Sequence, residues 1–177
     1  MFLKRKVPGS AAVLALAITV GCVGNSDTKA YFLSPSGYGP IKFGMSVPEA
    51  SKVLGVELLP LHELDEDELH CHYVYTNSYE DDLAVMVEEG VITRIDVRGS
   101  SISTTEGITV GSTGPQISET YGDSLLIKPH KYNGPEGKYY IVSNSSEQKL
   151  VFEVIDDRVV VFRSGRYPSV EYVEGCL

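Results

Sequence analysis

The stretch that decides the fold occurs twice, as IKFGMSVPEASKVLG at residues 41–55 and as ITVGSTGPQISETYG at residues 108–122. The two copies are 67 residues apart, and holding that shift from Ile41 to Gly99 gives 13 identities in 59 aligned positions. Stretches of average composition would share roughly four. Because a repeated unit often buries its apolar face against its twin, the spacing predicts one unit duplicated in tandem.

Each copy begins with the signals of a short helix. Two pairs have the spacing of a capping box, Ser46 with Glu49 and Thr113 with Gln116. A proline follows in the first turn, and a glycine suited to a left-handed helix end closes each copy. We predict a helix of about two turns in each copy. Such helices are unstable alone in water, so they should pack on a sheet.

Strand-like segments follow each predicted helix, and the last two of each copy form a predicted hairpin. They cover residues 70–75, 83–87, 91–97, 138–142, 150–155 and 159–163. Alternation places apolar side chains on a predicted core face: Leu83, Val85, Val87, Val91, Ile95, Val97, Leu150, Phe152, Val154, Val160 and Phe162. The opposite face, predicted to meet solvent or a partner, carries Arg94, Asp96, Arg98, Glu153 and Arg163.

The predicted fold class is therefore α+β, with two tandem repeats that each pack a short helix on an antiparallel β-meander. The first repeat spans residues 39–104 and the second 105–166. We expect one continuous domain, because either half alone would have a small core.

Residues 1–21 have the basic start and short apolar run of a secretory signal peptide. The run ends at Thr19-Val20-Gly21-Cys22, which resembles the lipobox of bacterial lipoproteins. The resemblance implies that Cys22 carries a lipid and that residues 22–38 are the anchor and tether. The alternative is ordinary cleavage with Cys22 as a bystander. In a cell with two membranes, Val23 in place of an aspartate retention signal favours the outer membrane, on its periplasmic face or at the surface.

The formal net charge is −9, and it becomes −12 without residues 1–21, which hold three basic and no acidic residues. A negative body without a basic stripe argues against nucleic-acid binding. Long-range electrostatics favour cationic partners.

Cys71 and Cys176 remain as a predicted disulfide in an oxidising compartment. The bridge would tie residues 167–177 back onto the first repeat. Two free thiols and an intermolecular pair are the alternatives.

Tyr75, Tyr139 and His72 are the candidate partner-binding residues, because tyrosine favours interfaces. Sheet packing is the alternative for the tyrosines. His70 and His72, at alternate positions beside the acidic run 63–68, could hold a metal. We expect no metal there, because the aligned positions of the second copy lack these ligands. The acidic run is expected to be a solvated loop.

Motifs typical of hydrolases, metalloproteases, and phosphate- or dinucleotide-binding enzymes are missing from the sequence. We therefore expect a protein without catalysis and without a cofactor.

The repeated phrase with its strand meander resembles the tandem α+β class of the β-lactamase inhibitor proteins and, in single copy, outer-membrane assembly lipoproteins of the SmpA/OmlA type. The loop at 134–137 and the ending at 170–176 also resemble uncharacterised bacterial lipoproteins, which imply no activity. The first resemblance implies a scaffold module that binds an envelope protein through a concave sheet. The alternatives are an inhibitor of an envelope or secreted hydrolase and a metal-binding lipoprotein.

Overall fold

The computed structural model describes residues 30–76, 82–143 and 145–176, so the predicted signal peptide and Cys22 lie outside the described residues. The helices of this part of the chain are α1 (Val47–Leu54) and α2 (Gly114–Tyr121). Its strands are β1 (Leu33–Ser34), β2 (Gly37–Tyr38), β3 (Ile41–Lys42), β4 (Cys71–Val74), β5 (Leu83–Glu88), β6 (Val91–Val97), β7 (Leu125–Pro129), β8 (Gly137–Ser143), β9 (Gln148–Ile155) and β10 (Arg158–Arg166).

The strands form two sheets, and the fold class is α+β as predicted. β1, β2 and β3 make a small sheet, and the other seven strands make an antiparallel sheet in the order β4-β5-β6-β10-β9-β8-β7. β6 and β10 pair at the centre of the large sheet, where Asp96 lies opposite Arg163. One sheet therefore continues from the first half of the chain into the second.

Both predicted helices are present and begin at their predicted caps. The Thr113 amide donates to Oε1 of Gln116 at 2.7 Å, and the Gln116 amide donates to Oγ1 of Thr113 at 3.3 Å. At α1, the Ser46 amide donates to Oε2 of Glu49 at 2.9 Å. These bonds satisfy amides that a helix start leaves unpaired.

The main core lies between one face of the large sheet and the layer formed by both helices and the small sheet. Ala50 of α1 and Ile117 of α2 are fully buried there. The sheet contributes the predicted core residues Leu83, Val85, Val87, Ile95, Val97, Leu150, Phe152, Val154 and Phe162. We call this side of the large sheet the inner face.

The prediction that Val91 and Val160 belong to the core is wrong. A β-bulge between β5 and β6 puts Val87 opposite Ile92, which takes the core position instead of Val91. A second bulge between β9 and β10 makes Val159 the buried residue and leaves Val160 40% exposed. Each bulge adds one residue to a strand and reverses the alternation beyond it.

The other, outer face of the large sheet is crossed by the C-terminal strap, residues 167–176, which contains a 3-10 turn at Ser169–Glu171. Val170 is fully buried there in a second, smaller core with Tyr139, Ile141 and Val151.

The strap overturns the prediction that the charged residues of the outer face meet solvent or a partner. Arg94, Asp96 and Arg163 are each at most 4% exposed. Nη1 of Arg94 donates to the Tyr172 carbonyl at 2.6 Å, and Nε of Arg163 donates to the Val170 carbonyl at 2.8 Å. The two arginines thus satisfy carbonyls of the strap, while Arg98 is exposed as predicted.

β7 was not predicted, because its residues lack a clear alternation. It pairs with β8 and is the outermost strand of the large sheet on that side.

Candidate protein-binding surface

Two of the candidate partner-binding residues, Tyr75 and His72, line the same cavity. It has a volume of about 230 Å³ and lies between β4 and the loop at residues 59–69. Leu61, Glu68 and the Cys71–Cys176 disulfide form other parts of its wall. We call this cavity and the surrounding loop the β4 surface.

The disulfide predicted between Cys71 and Cys176 is present, with 5.4 Å between the Cα atoms. It joins the end of the strap to β4. One wall of the β4 surface is therefore covalently fixed.

The acidic run at residues 63–68 forms an ordered turn on the β4 surface. Oδ1 of Asp65 accepts from the amides of Asp67 at 3.0 Å and Glu68 at 2.9 Å. Nε2 of His62 lies 2.9 Å from Oε1 of Glu68. The pKa of Glu68 is lowered, first by the Asp65 amide and then by His62. The Glu68 carboxylate therefore remains charged at neutral pH.

Three leucines of the same loop are exposed beside these carboxylates. Leu59 is 47% exposed, Leu61 41% and Leu69 55%. Contiguous exposed apolar patches with a polar rim are typical of surfaces that bind another protein, and these leucines are the candidates for such a patch on the β4 surface.

The edge of β4 has backbone groups that point toward the cavity. Leu59 and Tyr75 exchange two backbone hydrogen bonds, at 2.9 and 2.8 Å, so the backbone groups of Tyr75 point away from β5. On the other side, the His70 carbonyl accepts from the Glu89 amide, which follows β5. Because these directions alternate along an antiparallel strand, the amide and carbonyl of Tyr73 point away from β5, to the side of the cavity. An extended peptide could continue the sheet there.

The aromatic rings beside this edge pack on each other. The ring centroids of Tyr73 and Tyr75 are 6.5 Å apart. The pKa of Tyr73 is raised to about 12, first by burial and then by the Asp96 carboxylate, and burial also raises the pKa of Tyr75. Both side chains are therefore neutral hydroxyl groups at physiological pH.

Tyr139, the third candidate, is not part of the β4 surface. It lies on β8, from which β4 is separated by β9, β10, β6 and β5. The side chain is only 8% exposed, and its ring stacks on His130 with 4.5 Å between centroids. In this structure Tyr139 packs beneath the strap rather than at an open surface.

The two histidines considered as metal ligands have separate partners. Nδ1 of His70 lies 3.1 Å from Glu89 Oε1, and Nδ1 of His72 lies 3.1 Å from the Glu68 carbonyl. Within the ranges that the structure describes, three or more His, Cys, Asp or Glu side chains are nowhere grouped closely enough to hold a metal ion.

The exposed leucines of the β4 surface were not predicted from the sequence. Their signal was available, because Leu59, Leu61 and Leu69 flank an acidic loop and the predicted helices and strands do not include them. The pairing of Leu59 with Tyr75 was not predicted either, since no local pattern marks a single bridge.

The comparisons with known proteins bear on the fold. No protein-family model matches the chain, and a search of curated proteins gives no match either. Among solved structures, the uncharacterized protein YfeY from Escherichia coli is similar, with a TM-score of 0.51 and 12% sequence identity. The alignment covers 76% of this chain and 99% of YfeY. At this identity the similarity shows a shared fold.

In the part of the chain that the structure describes, both helices are too short to cross a membrane.

Proposed function

We propose that this chain is a membrane-anchored protein-binding module of the cell envelope, without catalytic activity, that recognises an extended basic segment of another envelope protein. The outermost strand β4, whose edge borders the cavity lined by Tyr75 and His72, is the observation that carries the proposal. A partner strand paired there would gain backbone hydrogen bonds, and the cavity would accept one of its side chains.

The charge of the β4 surface supports a basic partner. Its loop contributes a dense set of carboxylates, namely Glu63, Asp65, Glu66, Asp67 and Glu68. The whole chain is also acidic. Opposite charge on the partner would raise its association rate and select against acidic segments.

We infer further that the module is a duplicated α+β unit of the β-lactamase-inhibitor-protein type. In support, α2 begins 67 residues after α1, the spacing at which the sequence repeats. The extra residues of the two bulges, Thr93 and Val160, have the same spacing. A random pair of hairpins has no reason to place its bulges at matching positions.

The anchor in this proposal is a lipid on Cys22, which places the module at the envelope, most favourably at the outer membrane. The resemblance of residues 19–22 to the lipobox supports this part. Cleavage and lipidation are tested by the mass of the mature N-terminus in wild type and in Cys22→Ser.

The test of the binding function is capture of partners by the lipidated chain after crosslinking in cells. Leu61→Ser alters the β4 surface, and Val160→Ser is the matched control, because the two side chains are 41% and 40% exposed. We expect Leu61→Ser to lose a membrane-protein partner that wild type and Val160→Ser both retain. A partner retained by both variants, or lost by both, would contradict the proposed surface.

The alternative function as an inhibitor predicts a different result. A soluble hydrolase captured equally by wild type and Cys22→Ser, and inhibited at a one-to-one ratio, would favour inhibition over scaffolding.

A further inference from the structure

We propose that a second cavity, under the C-terminal strap, binds a small organic carboxylate. This cavity has a volume of about 200 Å³ and lies on the outer face between the strap and strands β7, β8 and β9. It is separate from the β4 surface, and the proposal does not depend on protein binding.

Tyr139 is a residue of the cavity wall, and its hydroxyl group is available to a ligand. The hydroxyl oxygen is buried and has no hydrogen bond of ordinary geometry among the described residues. Burial raises the pKa of Tyr139, and the neighbouring backbone amide of Lys131 acts in the opposite direction. That amide is a donor, so the O–H proton of Tyr139 still lacks an acceptor. Most buried polar side-chain atoms have a hydrogen-bond partner, so the O–H of Tyr139 is a candidate donor to a bound ligand.

Lys128 lines the same cavity and gives it a positive charge. Lys128 lies directly opposite Tyr139 in the pairing of β7 with β8, so both side chains are on the outer face. Within the described residues no carboxylate lies within ion-pair distance of its ammonium group. A buried hydroxyl without an acceptor and an exposed ammonium group without an ion-pair partner therefore lie beside one cavity.

The other charges of the wall are already neutralised. Arg163 forms an ion pair with Glu153, and Glu171 forms one with Lys149. This leaves the charge of Lys128 as the net charge of the wall. A ligand group that accepts hydrogen bonds and carries a negative charge would satisfy both Lys128 and Tyr139.

The other residues of the cavity wall indicate the chemistry of the part of the ligand beyond its carboxylate. Pro129, Ile141, Val151 and Val173 make it apolar. The volume lies below the usual range for drug-sized ligands. A carboxylate with a short aliphatic or aromatic body fits both properties.

The experiment titrates the full chain, purified in detergent, with benzoate and follows the methyl NMR signals of Ile141 and Val151. Benzyl alcohol is the neutral control of similar shape. Tyr139→Phe and Lys128→Met each remove one donor, and Lys138→Met is the matched control, because alternation directs Lys138 to the opposite face. Thermal unfolding of each variant shows that it is folded.

We expect saturable shifts with benzoate in the millimolar range, and a Kd raised about tenfold by Tyr139→Phe or Lys128→Met but unchanged by Lys138→Met. Benzyl alcohol should bind at least about tenfold more weakly. The proposal is overturned if benzoate gives no saturable shift, if benzyl alcohol binds as well, or if the donor variants bind like wild type. Failure here would leave the capture experiment with Leu61→Ser unaffected.

Discussion

Arg94 illustrates how one residue connects the sheet to the strap. Its guanidinium pairs with Asp96 at 2.6 Å and donates to the Tyr172 carbonyl. Burial disfavours its charged form, but Asp96 outweighs this effect and the pKa of Arg94 is raised. Arg94 is therefore charged in a nearly solvent-free site, where loss of either partner would leave the other buried group uncompensated.

We expect Arg94→Met to lower the free energy of unfolding by about 3 to 5 kcal/mol, because Asp96 would remain buried without a partner. Urea unfolding followed by circular dichroism measures this. Arg94→Met combined with Asp96→Leu should recover a large part of the loss. Lys131→Met is the control, since its pair with Glu174 is exposed and should change stability by less than about 1 kcal/mol. Equal losses in Arg94→Met and Lys131→Met would contradict this account.

The raised pKa of Tyr73 predicts that the protein loses stability at alkaline pH. Its folded pKa is raised to about 12, and an unfolded tyrosine titrates near about 10. Between these values the folded state binds more protons, so stability falls as the pH rises. When the pH rises from about 8 to about 11, the free energy of unfolding of Tyr73→Phe should fall by about 1 kcal/mol less than that of wild type. Urea midpoints at both pH values test this, with exposed Tyr167→Phe as the control. If Tyr73→Phe loses as much stability as wild type over this pH range, the pKa of Tyr73 is not raised in the folded state.

At the scale of elements, the strap depends on a covalent tie and on few apolar contacts. The Cys71–Cys176 disulfide links residues 105 apart in sequence. Beyond Val170, the described strap is held mainly by polar contacts, among them the pair of Lys149 with Glu171. Local opening of such a segment is expected when its tie is removed.

The double variant Cys71→Ser/Cys176→Ser should lose about 4 to 5 kcal/mol of unfolding free energy in the chain-entropy model. Chymotrypsin should then cleave at Tyr172, which is 38% exposed, faster than in wild type. Cys22→Ser is the matched control and should leave both measurements unchanged. A strap as resistant to chymotrypsin as in wild type would show that its noncovalent contacts suffice.

Elements with strong local signals were predictable from the sequence. The caps at Ser46 and Thr113 determined where the helices begin, and both hairpin turns were found. The bulges at Thr93 and Val160 were not predictable, because alternation alone does not show where a strand gains a residue. β7 was missed since an edge strand with exposed Leu126 and Ile127 lacks a buried face to set its pattern.

For the whole molecule, the sequence predicted a partner of opposite charge but only part of the candidate site. Tyr75 and His72 could be chosen by residue type, and they meet at one cavity. For Tyr139 the stated alternative of sheet packing applies, but its cover by the strap was not predictable, because the path of the strap depends on contacts between residues far apart in sequence. The strap, through Val170, accordingly covers part of the outer face of the sheet.

The charge of the molecule predicts a salt-dependent association with its partner. Glu63→Gln/Glu66→Gln should slow association about threefold to tenfold at low ionic strength and have little effect at high salt, where charges are screened. Surface plasmon resonance with the captured partner measures this. Glu119→Gln/Asp123→Asn removes two charges elsewhere and is the control. Equal slowing by both double variants would mean that net charge, rather than the β4 surface, determines association.

The most direct test of the binding surface places a photocrosslinking amino acid at position 61 or at position 160 of the lipidated chain in cells. We predict that position 61 crosslinks to one envelope protein, within a basic segment identified by mass spectrometry, and that position 160 does not. The same adduct from both positions, or adducts from position 160 alone, would contradict the assignment of the β4 surface as the binding site.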